Sequence, residues 1–117
     1  MPSIRDLVGT IRQRDGVDAA VVLGRDGLVI DSQSVPGVDT EGLAALIPAI
    51  IGPADELGQG VQRGDLRTAV LEHESGLAII SVLNDDAILV VLMRPDANVG
   101  GLLFELRRNR ERIASLI

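Results

Sequence analysis

The sequence lacks four residue types that carry much of protein chemistry: it has no cysteine, lysine, tryptophan or tyrosine. The absence of cysteine excludes disulfides, thiol catalysis and cysteine-ligated metals. The absence of lysine excludes Schiff-base chemistry and the lysine of phosphate-binding loops in nucleotide hydrolases. The one aromatic residue, Phe104, cannot supply the stacking platform on which single-stranded nucleic acids are bound.

The chain is also short of positive charge and of long apolar runs. Its net charge is -6 with eleven arginines, so we expect no nucleic-acid partner, because such binding needs a basic footprint. The longest uncharged run is well short of the ~20 residues of a membrane helix, so we expect no membrane insertion. The first residues do not resemble a signal peptide. These features together predict a cytoplasmic protein.

What is present fits one domain over residues 1–117. The chain is 46% hydrophobic, which is high for its length, and it shows no repeat, linker or low-complexity segment. Such a chain either packs its apolar faces densely or keeps one for a partner.

Hydrophobic periodicity and turn signals predict an α+β fold with the element order αββαβββα. An amphipathic helix is predicted over residues 3–14, with Ser3 and Asp6 as a capping box. A hairpin follows over residues 17–33, turning at Asp26-Gly27. A long helix is predicted over 39–60 with Asp39 or Thr40 as its cap, then strands over 66–74, 77–83 and 87–94. A final helix follows the start signals Pro95 and Asp96, with an apolar face formed by Val99, Leu102, Leu106, Ile113 and Ile117. The last two strands are continuously apolar, so helices should cover both faces of the sheet.

The long helix carries the most informative pattern. On a helical wheel one arc is formed by large apolar side chains and should face the sheet: Leu43, Leu46, Ile47, Ile50, Ile51, Leu57 and Val61. The opposite side is charge-free and small: Ala44, Ala45, Pro48, Ala49, Gly52 and Pro53. A solvated face would carry charged or amide side chains, whereas small residues let two backbones approach. We therefore expect a second copy of this helix to cover that side.

The remaining motifs do not form a catalytic, metal or cofactor site. His73, the single histidine, points to the opposite side of a strand from Glu72 and Glu74, so the three cannot bind one metal ion. Gly58, Gly60 and Gly64 follow a helix rather than a strand, unlike a dinucleotide-binding loop. A last group is basic: Arg107, Arg108, Arg110 and Arg112. These arginines are either a solvated helix end, a contact to an acidic partner or an arginine finger.

The element order, the hairpin "GVDAAVVLGRDGLVIDS" and the segment "ANVGGLLFELRR" resemble the roadblock family. This family comprises the dynein light chain roadblock domains and bacterial relatives such as MglB. The resemblance covers nearly the whole chain. It implies a five-stranded antiparallel sheet ordered 2-1-5-4-3, as in roadblock and profilin-like folds, with the first and last helices on one face and the second on the other.

The resemblance also implies a homodimer, in which third strands pair into a ten-stranded sheet and second helices lie side by side. The pairing edge would be residues 66–74, and the helix pair would use residues 45–52. The interface expected from the wheel and the resemblance together is Ala44, Ala45, Pro48, Ala49, Gly52, Leu66, Thr68, Val70 and Glu72.

By resemblance, the function would be that of a non-enzymatic, MglB-like homodimer that binds a Ras-like small GTPase and modulates its GTPase cycle. Pro48 and Pro53 depart from an uninterrupted docking helix. The resemblance opposes an arginine finger and implies no cofactor and no small-molecule substrate. The alternative is a structural adaptor in a motor or signalling complex without effect on nucleotide turnover. A third hypothesis, a small-ligand sensor, would need a pocket between helix and sheet.

Overall fold

The computed structural model describes residues 3–116 of the 117-residue chain. Four helices and five strands follow the predicted order, with the final helical region divided in two. They are α1 (Ile4–Arg12), β1 (Val17–Gly24), β2 (Val29–Ser34), α2 (Thr40–Gly60), β3 (Thr68–His73), β4 (Gly76–Val82), β5 (Ala87–Met93), α3 (Val99–Arg108) and α4 (Arg110–Ala114).

The five strands form one antiparallel sheet in the order β2-β1-β5-β4-β3, which confirms the predicted topology. Side chains of the central strand β5 alternate between the two sides, and Ile88, Leu89, Val90 and Val91 are fully buried. Leu89 and Val91 pack in a cluster with α1, α3 and α4, whereas Ile88 and Val90 pack with α2. Both faces of the sheet are therefore covered, as the continuously apolar strands predict.

Local signals at the first helix and the hairpin act as predicted. The Ser3 side chain accepts from the Asp6 N–H at 3.2 Å, while the Asp6 carboxylate accepts from the Ser3 N–H at 3.0 Å. In the hairpin, the Asp26 carboxylate accepts from the Leu28 N–H, and Gly27 has a φ of +85°. Asp26 is thus a turn residue, and glycine supplies the positive φ that the turn requires.

The final helical region breaks at Asn109, where the sequence predicts a continuous helix. The Asn109 side chain donates to the Glu105 carbonyl at 2.9 Å, and its backbone leaves helical geometry with φ -106° and ψ 15°. The backbone N–H of Asn109 donates to the same carbonyl at 3.0 Å, so Asn109 caps the end of α3 with both its side chain and its backbone. Arg110, the first residue of α4, reaches the sheet, where its guanidinium donates to the Val82 carbonyl. Ile117, predicted to lie on the apolar face of this helix, is outside the described residues.

Of the helices described between residues 3 and 116, none has the length and apolar character needed to cross a membrane.

Candidate self-association and docking surface

β3 is an edge strand, and among the described residues it pairs only with β4. The Val82 N–H of β4 donates to the Arg67 carbonyl at 2.8 Å. Residues on an antiparallel strand alternate between pairing with one neighbour and facing the other. It follows that Thr68, Val70 and Glu72 direct their backbone N–H and C=O groups away from the sheet, at its open edge.

The side chains of these three residues share one face of the sheet. Ala69 and Leu71 pack in the cluster on the α2 side, so the side chains of Thr68, Val70 and Glu72 lie on the side of α3 and α4. Val70 is 44% exposed, which is unusual for a valine in the middle of a strand. The edge thus combines outward backbone groups with an apolar side chain that the chain itself does not cover.

Leu66, predicted as part of the pairing edge, lies ahead of the strand, which begins at Thr68. The Leu66 N–H donates to the carboxylate of Asp55 on α2 at 2.8 Å. This bond anchors the entry of β3 to α2 and removes one N–H from any strand pairing. The predicted strand range of 66–74 is therefore too long: β3 runs from Thr68 to His73, the Leu66 N–H is bound by α2, and Glu74 lies in the β3–β4 turn.

The prediction that Ala44 lies on the outer side of α2 is wrong. Ala44 is fully buried and packs in the α2-side cluster with Val21 and Leu23. The hairpin turn approaches α2 so closely that a Cβ on Gly27 would lie 3.3 Å from the Ala44 carbonyl oxygen and 3.4 Å from Pro48 Cγ. The buried line of α2 runs through Ala44, Ile47 and Ile51, so it is displaced toward Ala44 from the arc that the wheel predicts.

The displaced contact exposes side chains that the wheel places against the sheet. Leu46, Leu57 and Val61 are 64%, 70% and 52% exposed, so the prediction that they face the sheet is wrong. The contact with the sheet is narrower than the apolar arc of the helix, and only Ala44, Ile47 and Ile51 are buried. The width of the apolar arc could have indicated this from the sequence, because a single contact with the sheet cannot bury the whole arc.

The three exposed large side chains of α2, together with the half-buried Ile50, lie toward β3. Leu46 and Ile50 line a groove of about 460 Å³ together with Leu71 and His73. Leu57 and Val61 line a second depression beside the start of β3. We call this set, Leu46, Ile50, Leu57 and Val61, the β3-side row.

The small residues of α2 lie on another part of the helix. Ala45, Ala49, Gly52 and Pro53 are all exposed, and we call these four the outer face. Pro48 is half-buried near the hairpin turn. Both prolines lie inside a helix that continues from Thr40 to Gly60. Between the exposed Glu41 and Glu56 the outer face carries no charged side chain, which separates it from a typical solvated helix surface.

A basic depression lies at the start of β3, on the side of α3 and α4. Its arginines, which we call the arginine cluster, are Arg67, Arg107, Arg108, Arg110 and Arg112. The Arg110 guanidinium donates to the Val82 carbonyl at 2.9 Å. Burial lowers the pKa of Arg110, and the charges of Arg67 and Arg107 lower it further. Within residues 3–116 the ion pairs are Arg14–Glu105 and Arg94–Asp18, and neither includes the cluster.

Other chemistry at this surface is limited. In the part of the chain that the structure describes, no group of three or more histidine or acidic side chains could hold a metal ion. His73 is exposed at the end of β3, beside exposed Glu72 and Glu74. What the arrangement offers is an open strand edge, an apolar helix row beside it, an uncharged outer face and a basic depression.

Comparison with known proteins shows the family of the chain. The family model for the Roadblock/LC7 domain matches residues 4–93. An uncharacterized protein of Methanocaldococcus jannaschii is 31% identical over 106 residues, covering 91% of this chain and 92% of its own length.

Solved structures share the fold. The gliding protein MglB from Thermus thermophilus superposes with a TM-score of 0.83 at 16% identity, covering 96% of this chain and 86% of its own. An MglB structure with a tetrameric arrangement gives a TM-score of 0.84 at 16% identity, covering 96% and 85%. The extent of the family-model match and the identity to the M. jannaschii protein decide the assignment: the chain belongs to the Roadblock/LC7 domain family.

Proposed function

We propose that this protein is a non-enzymatic homodimer that binds a Ras-like small GTPase and modulates its GTPase cycle. The observation that carries the proposal is the open edge of β3 lying beside the exposed β3-side row of α2. The edge offers three outward residues, and the row offers large apolar side chains next to it. A second copy related by a two-fold axis perpendicular to the sheet would cover both at once.

In this arrangement the two β3 strands continue the sheet across the axis, giving ten strands. Each outward N–H and C=O gains a partner, which removes the aggregation hazard of an unprotected edge. The two α2 helices approach through Leu46, Ile50 and Leu57 rather than through Ala44. The groove beside Leu71 would then be covered by the second copy, which also accounts for its apolar lining.

The outer faces of the two α2 helices would form the docking platform for the GTPase. Ala45, Ala49, Gly52 and Pro53 are exposed in each copy and carry no charge, so a partner surface can approach the helix backbone closely. The family assignment and the MglB-like fold support a regulatory role.

The test has two stages. Sedimentation equilibrium of the purified chain should give a dimer at micromolar concentration. GTP-loaded Ras-like GTPases of the source organism are then assayed for binding and for hydrolysis rate, with and without the dimer. Binding with a changed rate supports the proposal. Binding with an unchanged rate would favour the structural adaptor, and a dimer that binds no GTPase would contradict the proposed partner.

A further inference from the structure

β3 is electrically asymmetric along its length. Its end carries two exposed acidic residues, Glu72 and Glu74. Its start lies beside the arginine cluster, where Arg67, Arg107 and Arg110 line the depression next to Thr68. When two identical strands pair antiparallel, the start of each meets the end of the other, so this asymmetry is complementary to itself.

The acidic and basic groups also lie on the same face of the sheet. Residues directly opposite each other in an antiparallel pair have side chains on the same face. Glu72 lies on the face of α3 and α4, and so do Arg107 and Arg110. Of the acids near the start of β3, Asp55 accepts from the Leu66 N–H on the α2 side. Asp65 lines the same depression as Arg67 and Arg107, and it accepts from the Gln59 side chain at 2.7 Å.

The outward backbone groups select one register. Pairing Val70 with Val70 of the second copy places Thr68 opposite Glu72 and uses all three outward residues. A shift toward the start of β3 would require the Leu66 N–H, which Asp55 already occupies. A shift toward the end would require Glu74, which lies in the β3–β4 turn.

We propose that the arginine cluster is a receptor for Glu72 of a second copy, and that it fixes an antiparallel pairing with Val70 on the two-fold axis. This inference rests on the self-association proposed above. It adds the register of the strand pair and the pattern of opposite charges that selects this register. In that register Glu72 of each copy lies across from Thr68 of the other, beside Arg107 and Arg110. Arg67 lies across from His73, between Glu72 and Glu74.

The single chain leaves an excess of positive charge at this depression, because five arginines and one acid, Glu111, line it. Neither ion pair within residues 3–116 involves Glu72, Glu74 or the cluster. The Arg110 guanidinium is held in place by the Val82 carbonyl, so the receptor is partly pre-organised. Crowding of Arg67 and Arg107 around Arg110, which contributes to its lowered pKa, would be relieved by an incoming carboxylate. In a parallel pairing like charges would face each other, so the same charges also disfavour a parallel pair of β3 strands.

Charge reversal tests the receptor. Glu72→Arg should weaken self-association at least about tenfold, because each of two symmetric sites then brings like charges together. Arg107→Glu should do the same, and the double variant Glu72→Arg/Arg107→Glu should recover most of the loss. Asp85→Arg makes the same charge change in the β4–β5 turn and is the matched control. Circular dichroism of each variant verifies that the fold is retained.

Cysteine cross-linking tests the register, since the chain has no cysteine of its own. In the proposed register the two Val70 residues lie directly opposite each other, with Cα atoms about 5.5 Å apart. Because the Cβ atoms of such a hydrogen-bonded pair lie farther apart than a disulfide prefers, a bis-methanethiosulfonate reagent with a short spacer is the probe. It should link the Val70→Cys dimer and should not link Ile30→Cys on β2.

The outcomes are separable. A wild-type chain that stays monomeric overturns the self-association and this inference with it. A wild-type dimer that Glu72→Arg leaves unchanged overturns the receptor alone, and inorganic phosphate raising the melting temperature would then identify the cluster as an anion site. A Val70→Cys dimer that does not cross-link overturns the register. Weakening by each single reversal, rescue by the double variant and cross-linking at Val70 support the inference.

Discussion

The two edge strands of the sheet, β2 and β3, meet their surroundings differently. β2 has α1 and α2 against it, one on each face. Its central outward N–H, that of Ser32, donates to the carboxylate of Asp31 at 2.9 Å. A register irregularity between Val22 and Leu23 of β1 disturbs the pairing near the hairpin turn. Side-chain capping and irregular register are ways in which proteins blunt a strand edge.

β3 lacks these devices among the described residues. Its ladder with β4 is regular from Thr68 to His73, and no side chain within residues 3–116 accepts from the N–H of Thr68, Val70 or Glu72. Within β3 the acidic side chain is Glu72, near the end of the strand. The contrast teaches that an edge strand left regular and apolar, in a chain that blunts its other edge, is best explained by a partner strand.

Proline substitutions are expected to show the largest difference between the two edges in their effect on the dissociation constant of the dimer. Val70→Pro removes an outward N–H and leaves the ladder with β4 intact. In the proposed dimer it deletes two symmetric N–H···O bonds of about 1–1.5 kcal/mol each, so the dissociation constant should rise about 100-fold. Ser32→Pro, at the centre of β2, should lower stability without changing the dissociation constant. Sedimentation measures both, and equal effects at the two edges would contradict the account.

Arginine substitutions on α2 are expected to separate self-association from docking. Leu46→Arg places a charge in the β3-side row and should weaken the dimer about tenfold, because the charge must be desolvated at the contact. Ala49→Arg on the outer face should leave the dimer intact and reduce GTPase binding. Calorimetric titration against the GTPase, together with sedimentation, reads out each effect. A loss of dimer with Ala49→Arg but not with Leu46→Arg would reverse the assignment of the two faces.

Asp55→Ala tests how α2 positions the entry of β3. The Leu66 N–H loses its charged acceptor, so the free energy of unfolding should fall by about 1–3 kcal/mol. Urea unfolding of the monomeric Val70→Pro background isolates this effect from dimerisation. Asp65→Ala, whose carboxylate accepts only from an exposed Gln59 side chain, is the control and should cost less.

Asp31→Ala should give the smallest effect, at the blunted edge. It frees the Ser32 N–H at the centre of β2, with an expected loss of about 0.5–1.5 kcal/mol on urea unfolding. Because the edge then resembles β3, light scattering at high concentration should show slow growth of species larger than a dimer. An unchanged scattering profile would show that Asp31 is not what keeps β2 unpaired.

Most of the fold could be predicted from the sequence because its signals are local. The capping box at Ser3, the turn at Gly27 and the continuously apolar strands each fix an element within a few residues. The break at Asn109 was missed because an asparagine that ends a helix differs from one inside it only in its surroundings. Likewise, the start of β3 depends on a bond between Leu66 and Asp55, which lie eleven residues apart.

The candidate surface was predicted less completely. The wheel predicted an α2 with two contacts, but it placed Ala44 outside and Leu46 and Leu57 inside. The hairpin turn at Gly27 and the backbone of α2 lie in close contact at Ala44, and no pattern within α2 encodes that contact.

Hydrogen exchange at individual amides tests the central claim most directly. The N–H groups of Thr68, Val70 and Glu72 point away from β4, so only a second strand can protect them. The account predicts slow exchange at these three amides at high protein concentration and faster exchange on dilution, while the Ile30 amide of β2 exchanges at a constant rate. Fast exchange at Val70 at every concentration would contradict it.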